Sequence, residues 1–296
     1  YPSLSALFAA YNAPDLPMTL INYGGYPETA KLTRYTRLDS PESLRSLLAP
    51  NKNPWGDSQL LPTSELDRIL AAHSAWAQGQ IDAGALLPSH KRLLQSQTAA
   101  FSQTADLERF LAVIPPDEDI APVPVLYNGF GGVEQPIMRD AQLSLLAFQS
   151  GVACASDLTV NSFDTHAEHD LQHEPGLGAL ADGIDYLWDY AEQLGLADRL
   201  TVVIASDFSR TPYYNDTEGK DHWPVGSVIV MEKNASWGNR VVGLTDEAQN
   251  AYKINPATLQ RDDADGTIIY PKHIHKALRT HLGLDAFSPL TAFGLS

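Results

Sequence analysis

The stretch FDTHAEHDLQH, residues 163–173, packs three histidines, two aspartates and a glutamate into a chain that has nine histidines in all. Further along, an aspartate recurs in SDFSR as Asp207, and Asp221-His222 stand together in GKDHWP. Carboxylates and neutral imidazoles are the ligands that Zn²⁺ and Mn²⁺ take when thiolates are absent, so these residue types predict a divalent cation site. Asp164 and His166 are separated by two positions, which points both side chains the same way from extended backbone. The expected ligand set is therefore Asp164, His166, Asp207, Asp221 and His222, with Zn²⁺ or Mn²⁺ preferred and Ca²⁺ or Mg²⁺ as alternatives. Such an ion polarises a phosphoryl or sulfuryl oxygen and lowers the pKa of its water from ~16 toward ~7. Arg210 and Lys220 flank the second segment and are read as the catalytic cations, gripping an anionic substrate and offsetting charge on the transferred group.

Each of these residues also has a plainer reading. Asp207 could only make a turn after a strand, Asp221-His222-Trp223 could be a turn with its aromatic tucked into the core, and Arg210 and Lys220 could be surface cations. His169 and His173 have helical i, i+4 spacing, but Pro175, Gly176 and Gly178 are expected to stop any helix there, so Glu168, His169, Asp170 and His173 are read as a polar loop or as partners behind the ligands.

The elements that must position these residues are α/β in pattern. From about residue 137 onward, helix and strand alternate, which predicts a mostly parallel sheet flanked by helices. A helix over 141–151 and a strand over 152–160 precede the first cluster. An amphipathic helix follows, with Leu177, Leu180, Ile184, Leu187, Trp188, Ala191 and Leu194 on one face and Gly195 at its end. LTVVIA, residues 200–205, is a continuous apolar run suited to a strand covered on both faces, and it ends at Asp207. GSVIVME predicts another strand, and a helix over 271–282 is closed by Gly283. Both ligand loops would then leave the C-terminal edge of parallel strands, where open α/β sheets bind their ligands. Upstream, PMTLINY predicts a strand ending at Gly24-Gly25. Residues 58–115 read as an α-rich insert, and the Pro- and Gly-rich run 115–136 reads as a connector with a short strand near Val123–Tyr127.

Bulk composition narrows the function classes. With 296 residues, 44% apolar and 19% charged, the chain can bury a substantial core, and the reading is a single α/β domain over 1–296. A formal charge of −16 argues against a nucleic-acid surface, because that affinity comes from Lys and Arg releasing counterions. The single cysteine, Cys154, leaves neither an intramolecular disulfide nor a cysteine-rich zinc cage. No apolar run reaches the roughly 18 residues of a membrane span, and no basic n-region or h-region opens the chain.

Taken in order, SFDTHAEHD, SDFSRTPYYN, GKDHWP and the helix after IIYPKHI, with LINYGGYPETAKLTRYTRL upstream, resemble the domain-of-unknown-function 1501 family, whose fold belongs with alkaline phosphatases and sulfatases. The resemblance covers nearly the whole chain. It implies an alkaline-phosphatase-like fold in which Asp164 and His166 hold one metal, Asp207 a second, and His222 returns to the first. It further implies twin-arginine export to the periplasm or beyond the cell, and a small anionic substrate or saccharide ester as partner. Two departures stand out: phosphatases of the superfamily show Asp-His where this chain has Asp207-Phe208, and neither the superfamily's N-terminal nucleophile nor its other early carboxylate has a match. The family's first strand and leader would lie before Tyr1. The expected function is thus an exported, metal-dependent hydrolase of phosphate or sulfate esters, the alternative being a metal-stabilised binding or scaffold protein that keeps the fold without the chemistry. A serine hydrolase is disfavoured by the lack of a GxSxG elbow.

Overall fold

The computed structural model describes residues 2–49, 51–53, 56, 58–102, 104–127, 131–287 and 289–290. In chain order the elements are α1 (Leu4–Asn12), β1 (Leu20–Asn22), β2 (Thr36–Arg37), α2 (Pro41–Leu48), α3 (Thr63–Asp82), α4 (Pro88–Ser102), α5 (Thr104–Val113), β3 (Val125–Tyr127), β4 (Gly132–Glu134), α6 (Ile137–Gln149), β5 (Ala155–Asp157), α7 (His169–Gln193), β6 (Thr201–Ala205), β7 (Ser209–Arg210), β8 (His222–Trp223), β9 (Val228–Glu232) and α8 (Pro271–His281). The α/β expectation holds in a reduced form. The parallel sheet has three short strands in the order β2-β1-β5, with Asn22 opposite Arg37 on one side and Asp157 on the other.

The second half of the expected parallel sheet is instead antiparallel. β6 pairs with β9 from Thr201↔Glu232 to Ala205↔Val228, and β7 pairs with β8 through Ser209↔Trp223 and Arg210↔His222. Nor is β6 covered on both faces, since Val203 and Ile229 are both exposed. A continuous apolar run fits a buried parallel strand and a half-exposed ribbon equally well, so periodicity alone does not separate them. The connector's predicted strand is present as β3 and finds an antiparallel partner in β4.

The core is built around α6, whose residues are buried on nearly every side. One face, with Leu143 and Leu146, joins Ile21, Met18, Leu38 and Phe110. The other, with Ala141 and Leu145, packs against Leu187 and Ala191 of α7. The two helices approach closely because Gly183 has no side chain: a Cβ there would lie 2.4 Å from the Ile137 side chain.

Helix α7 corrects the reading of Pro175. The helix starts at His169 and runs through Pro175, Gly176 and Gly178. A proline in the second turn removes the bond to the carbonyl four residues back, that of Leu171, and that position is exposed to water. Gly176 packs beside the Phe163 ring, where an added Cβ would be 3.4 Å away. The helix thus begins inside the histidine cluster and fixes its far end.

Candidate metal centre

Asp164, His166 and His222 form the one group of three metal-capable side chains among the described residues, with one ligand atom from each lying within 4.8 Å of the others. Asp164 and His166 come from the segment joining β5 to α7, and His222 from β8. The Nε2 atoms of His166 and His222 face each other at 3.1 Å, and Asp164 Oδ1 lies 3.3 Å from His166 Nε2. All three are exposed at the surface.

Asp221 is not one of the converging groups. Its Oδ1 accepts a hydrogen bond from His166 Nδ1 at 2.9 Å, and that bond is the main reason its carboxyl is held below the ordinary carboxylate range. A carboxylate can only accept, so Nδ1 carries a proton, which in the neutral tautomer leaves the lone pair on Nε2. This is the tautomer a metal ligand needs, and a carboxylate behind the imidazole is the usual way of fixing it.

Two strands of chain must interlock to bring these groups together. The Arg210↔His222 pairing of the β7–β8 ribbon places the two side by side, and Thr211 N donates to Asp221 O at 2.9 Å. The intervening turn then wraps over the first loop. Lys220 N donates to Thr165 O, His169 N to Glu218 O and Glu168 N to Thr217 O, while Thr217 Oγ1 and Asn215 Nδ2 both donate to the His166 carbonyl. Asn215 Nδ2 also reaches Asp221 Oδ1 at 3.3 Å, so one amide touches both halves of the site. Gly219 makes the approach possible, because a Cβ there would sit 1.9 Å from the His166 carbonyl oxygen. Ser162 and Glu168 bracket the ligand segment with φ of 79° and 48°. Left-handed backbone in non-glycine residues persists only where surrounding contacts enforce it, and it gathers at binding sites.

The two predicted catalytic cations both have partners, Arg210 within the centre itself. Arg210 Nη2 donates to Asp164 Oδ1 and to Phe163 O, its Nη1 donates to Lys220 O, and its side chain is only 10% exposed. Nη1 also lies 3.3 Å from His166 Nε2. Lys220 Nζ stands over the Tyr214 ring at 4.7 Å, and Tyr214 Oη is shared between both oxygens of Asp170. Asp207 lies outside the three-residue group; its Oδ1 accepts from the Phe208 N–H in a local turn. Phe208 stacks on His222 at 3.9 Å between ring centroids and fixes that imidazole's plane.

His169 and His173 share one face of α7, stacked at 4.5 Å, with His169 Nδ1 paired to Thr165 Oγ1. They form a layer behind the ligand segment. Burial is the first cause that lowers both imidazoles below 6.5, reinforced by Lys220 and Arg210. Gly219, Asn215 and Tyr214 carry no sequence signature of a site, because their roles are contacts across some fifty residues of chain.

The donor set fits a borderline divalent cation: two imidazole nitrogens and a carboxylate suit Zn²⁺ or Mn²⁺ better than Ca²⁺, which prefers oxygen throughout. What fold and site define together is an α/β protein with an exposed two-histidine, one-carboxylate surface centre. Residues 135–276, just under half of the chain, match the family model described as "Protein of unknown function (DUF1501)". The matched segment contains every residue of the centre. Neither a curated protein nor a solved structure matches the chain. Among the described residues no helix is long and apolar enough to cross a membrane.

Proposed function

We propose that this protein is an exported, metal-dependent hydrolase of phosphate or sulfate esters that works from a single divalent cation at Asp164, His166 and His222. The observation that carries the reading is the pairing of three exposed, converging ligands with a carboxylate that fixes the tautomer of one of them. Three protein ligands leave coordination positions open, as catalytic sites do, whereas structural sites close with a fourth. A bound cation would supply Lewis acidity toward the ester oxygen and an acidified water. The protein's own contribution is orientation. Asp221 and Asn215 hold His166, Phe208 holds His222, and Arg210 steadies Asp164 while keeping positive charge beside the place an anionic substrate must reach.

A second reading, a metal-stabilised binding protein without turnover, is favoured by two features: Asp207 stays outside the centre and Phe208 covers one face of His222. Zn²⁺- or Mn²⁺-loaded protein assayed on a panel of aryl phosphates and aryl sulfates separates the two. The hydrolase reading expects turnover that Asp164→Ala abolishes together with metal content. Silence across the panel, with Asp164→Ala lowering only the melting temperature, would leave the binding protein standing.

A further inference from the structure

The ribbon of β6 and β9 has two ends. One leads to Asp207 and the metal centre. The other, roughly 13 Å away for strands rising ~3.3 Å per residue over five paired positions, opens into a cavity of about 590 Å³ between the last turns of α7 and the chain that follows β9. Trp188, Glu192, Glu232, Lys233, Trp237 and Asn239 are the lining residues that define its chemistry.

The charges there are already matched. Lys233 Nζ lies 2.8 Å from Glu192 Oε1 and 3.3 Å from Asp198 Oδ1. Glu232 Oε1 accepts from Thr201 Oγ1 at 2.5 Å and from His281 Nε2 at 2.6 Å. No carboxylate is left calling for a cation, and the ammonium between two carboxylates has no reason to draw an anion. What the cavity does offer is indole surface and neutral hydrogen-bonding groups. Trp237 makes an edge-to-face contact with His281 at 5.6 Å, so the sequence Thr201–Glu232–His281 fixes its ring in place. The Nε1–H of Trp188 is buried and has no acceptor among the described residues. A buried indole N–H ordinarily finds a partner, so this one is an unmet donor in the cavity wall, on a ring that also packs against the cluster of Leu187 and Ala191. Asn239 is exposed at the rim in left-handed backbone, with a free amide that can both donate and accept.

We propose that this cavity is a binding site for a neutral, hydroxyl-rich sugar ring, separate from the metal centre. The apolar C–H face of a pyranose packs on an indole, its hydroxyls take the Trp188 N–H and the Asn239 amide, and its lack of charge suits walls whose ions are already paired. The volume lies within the usual range of small-ligand sites and accommodates one or two rings.

The test uses the full chain with maltose, cellobiose and lactose as probes, read by saturation-transfer NMR and tryptophan fluorescence, with choline as a charged control. At least one disaccharide is expected to bind. Trp237→Ala should weaken it by about tenfold or more, and Trp188→Phe, which keeps a ring and removes the N–H, by a smaller factor. Asp164→Ala should leave it unchanged. The proposal is overturned if none of the three sugars shows transfer, if choline binds in their place, or if binding survives both tryptophan variants. Trp188→Phe keeps the test decisive should Trp237→Ala fold poorly.

Discussion

Asp221 decides what His166 can bind. Because its carboxylate accepts the hydrogen bond of Nδ1–H, the Nε2 lone pair faces Asp164 and His222. Asp221→Asn keeps the shape and a carbonyl acceptor but removes the charge, and substitutions behind a metal-ligating imidazole cost about 10–100-fold in metal affinity. Zn²⁺ titration calorimetry at fixed pH is expected to show a loss in that range, with circular dichroism unchanged; an unaltered affinity would deny Asp221 this part. At the same scale, the sequence revealed the site unevenly. Asp164, His166 and His222 are legible because their types and the i, i+2 spacing are chemical statements in themselves. Asp207 and Asp221 look equally good as ligands in the sequence, and only geometry separates them: one turns onto the Phe208 N–H, the other stands behind an imidazole. Gly219 is illegible for a different reason. Its role is the absence of a Cβ against the carbonyl of a residue more than fifty positions earlier, and nothing local marks such a collision.

At the scale of elements, α7 and the turn over residues 211–221 behave as one unit. The amphipathic stripe of α7 was readable around Leu187 and Ala191, which are buried, although Leu177 at its start is exposed, and β6, β9 and α8 appear close to their expected places. Strand pairing was not, since parallel and antiparallel partners share one pattern and the choice depends on where the chain returns. The start of α7 was also missed, because a proline rule that holds for a buried helix fails where the orphaned carbonyl is solvated. That misplaced start matters chemically, for it puts His169 and His173 in a stacked layer. Both imidazoles sit below 6.5 in the folded protein, first through burial, then through the mutual field of the pair for His169 and through Arg210 for His173; Lys220 adds to both and Asp170 opposes. The unfolded chain therefore binds more protons as pH falls past 6.5, and stability drops in that direction, by at most about 1.4 kcal/mol per pH unit for each ring and less for rings partly screened by water. His275, lowered by its own burial, has the same sign. Asp140, raised to about 6 by burial, has the opposite sign. Urea midpoints of chelator-treated protein between about pH 7.5 and 6 should fall, and the His169→Gln/His173→Gln double variant should flatten the slope. An equal slope in both proteins would remove the pair from the account.

For the whole molecule, a cation at Asp164, His166 and His222 would cross-link two segments that are already tied by backbone bonds and by the side chains of Arg210, Asn215 and Thr217. The first segment leaves the small parallel sheet at β5 and the second leaves the antiparallel ribbon at β6, so a cation held by both couples the two sheets. The chain also carries a formal charge of −16, and a dication placed among Asp164, Asp221 and their neighbours relieves part of that self-repulsion. A ligand bound only by the native state stabilises it by RT ln(1 + [L]/Kd), or about 2.7 kcal/mol at ~100 times Kd. With a shift of about 2–4 °C per kcal/mol for domains somewhat smaller than this one, Zn²⁺ or Mn²⁺ should raise the melting temperature by roughly 5–10 °C. Chelation should reverse the rise, and Asp164→Ala, which loses one of three ligands, should largely abolish it. Elemental analysis adds the count. One triad among the described residues sets the expectation at one ion per chain, and a stoichiometry of two would mean that Asp207 finds partners this arrangement does not bring to it.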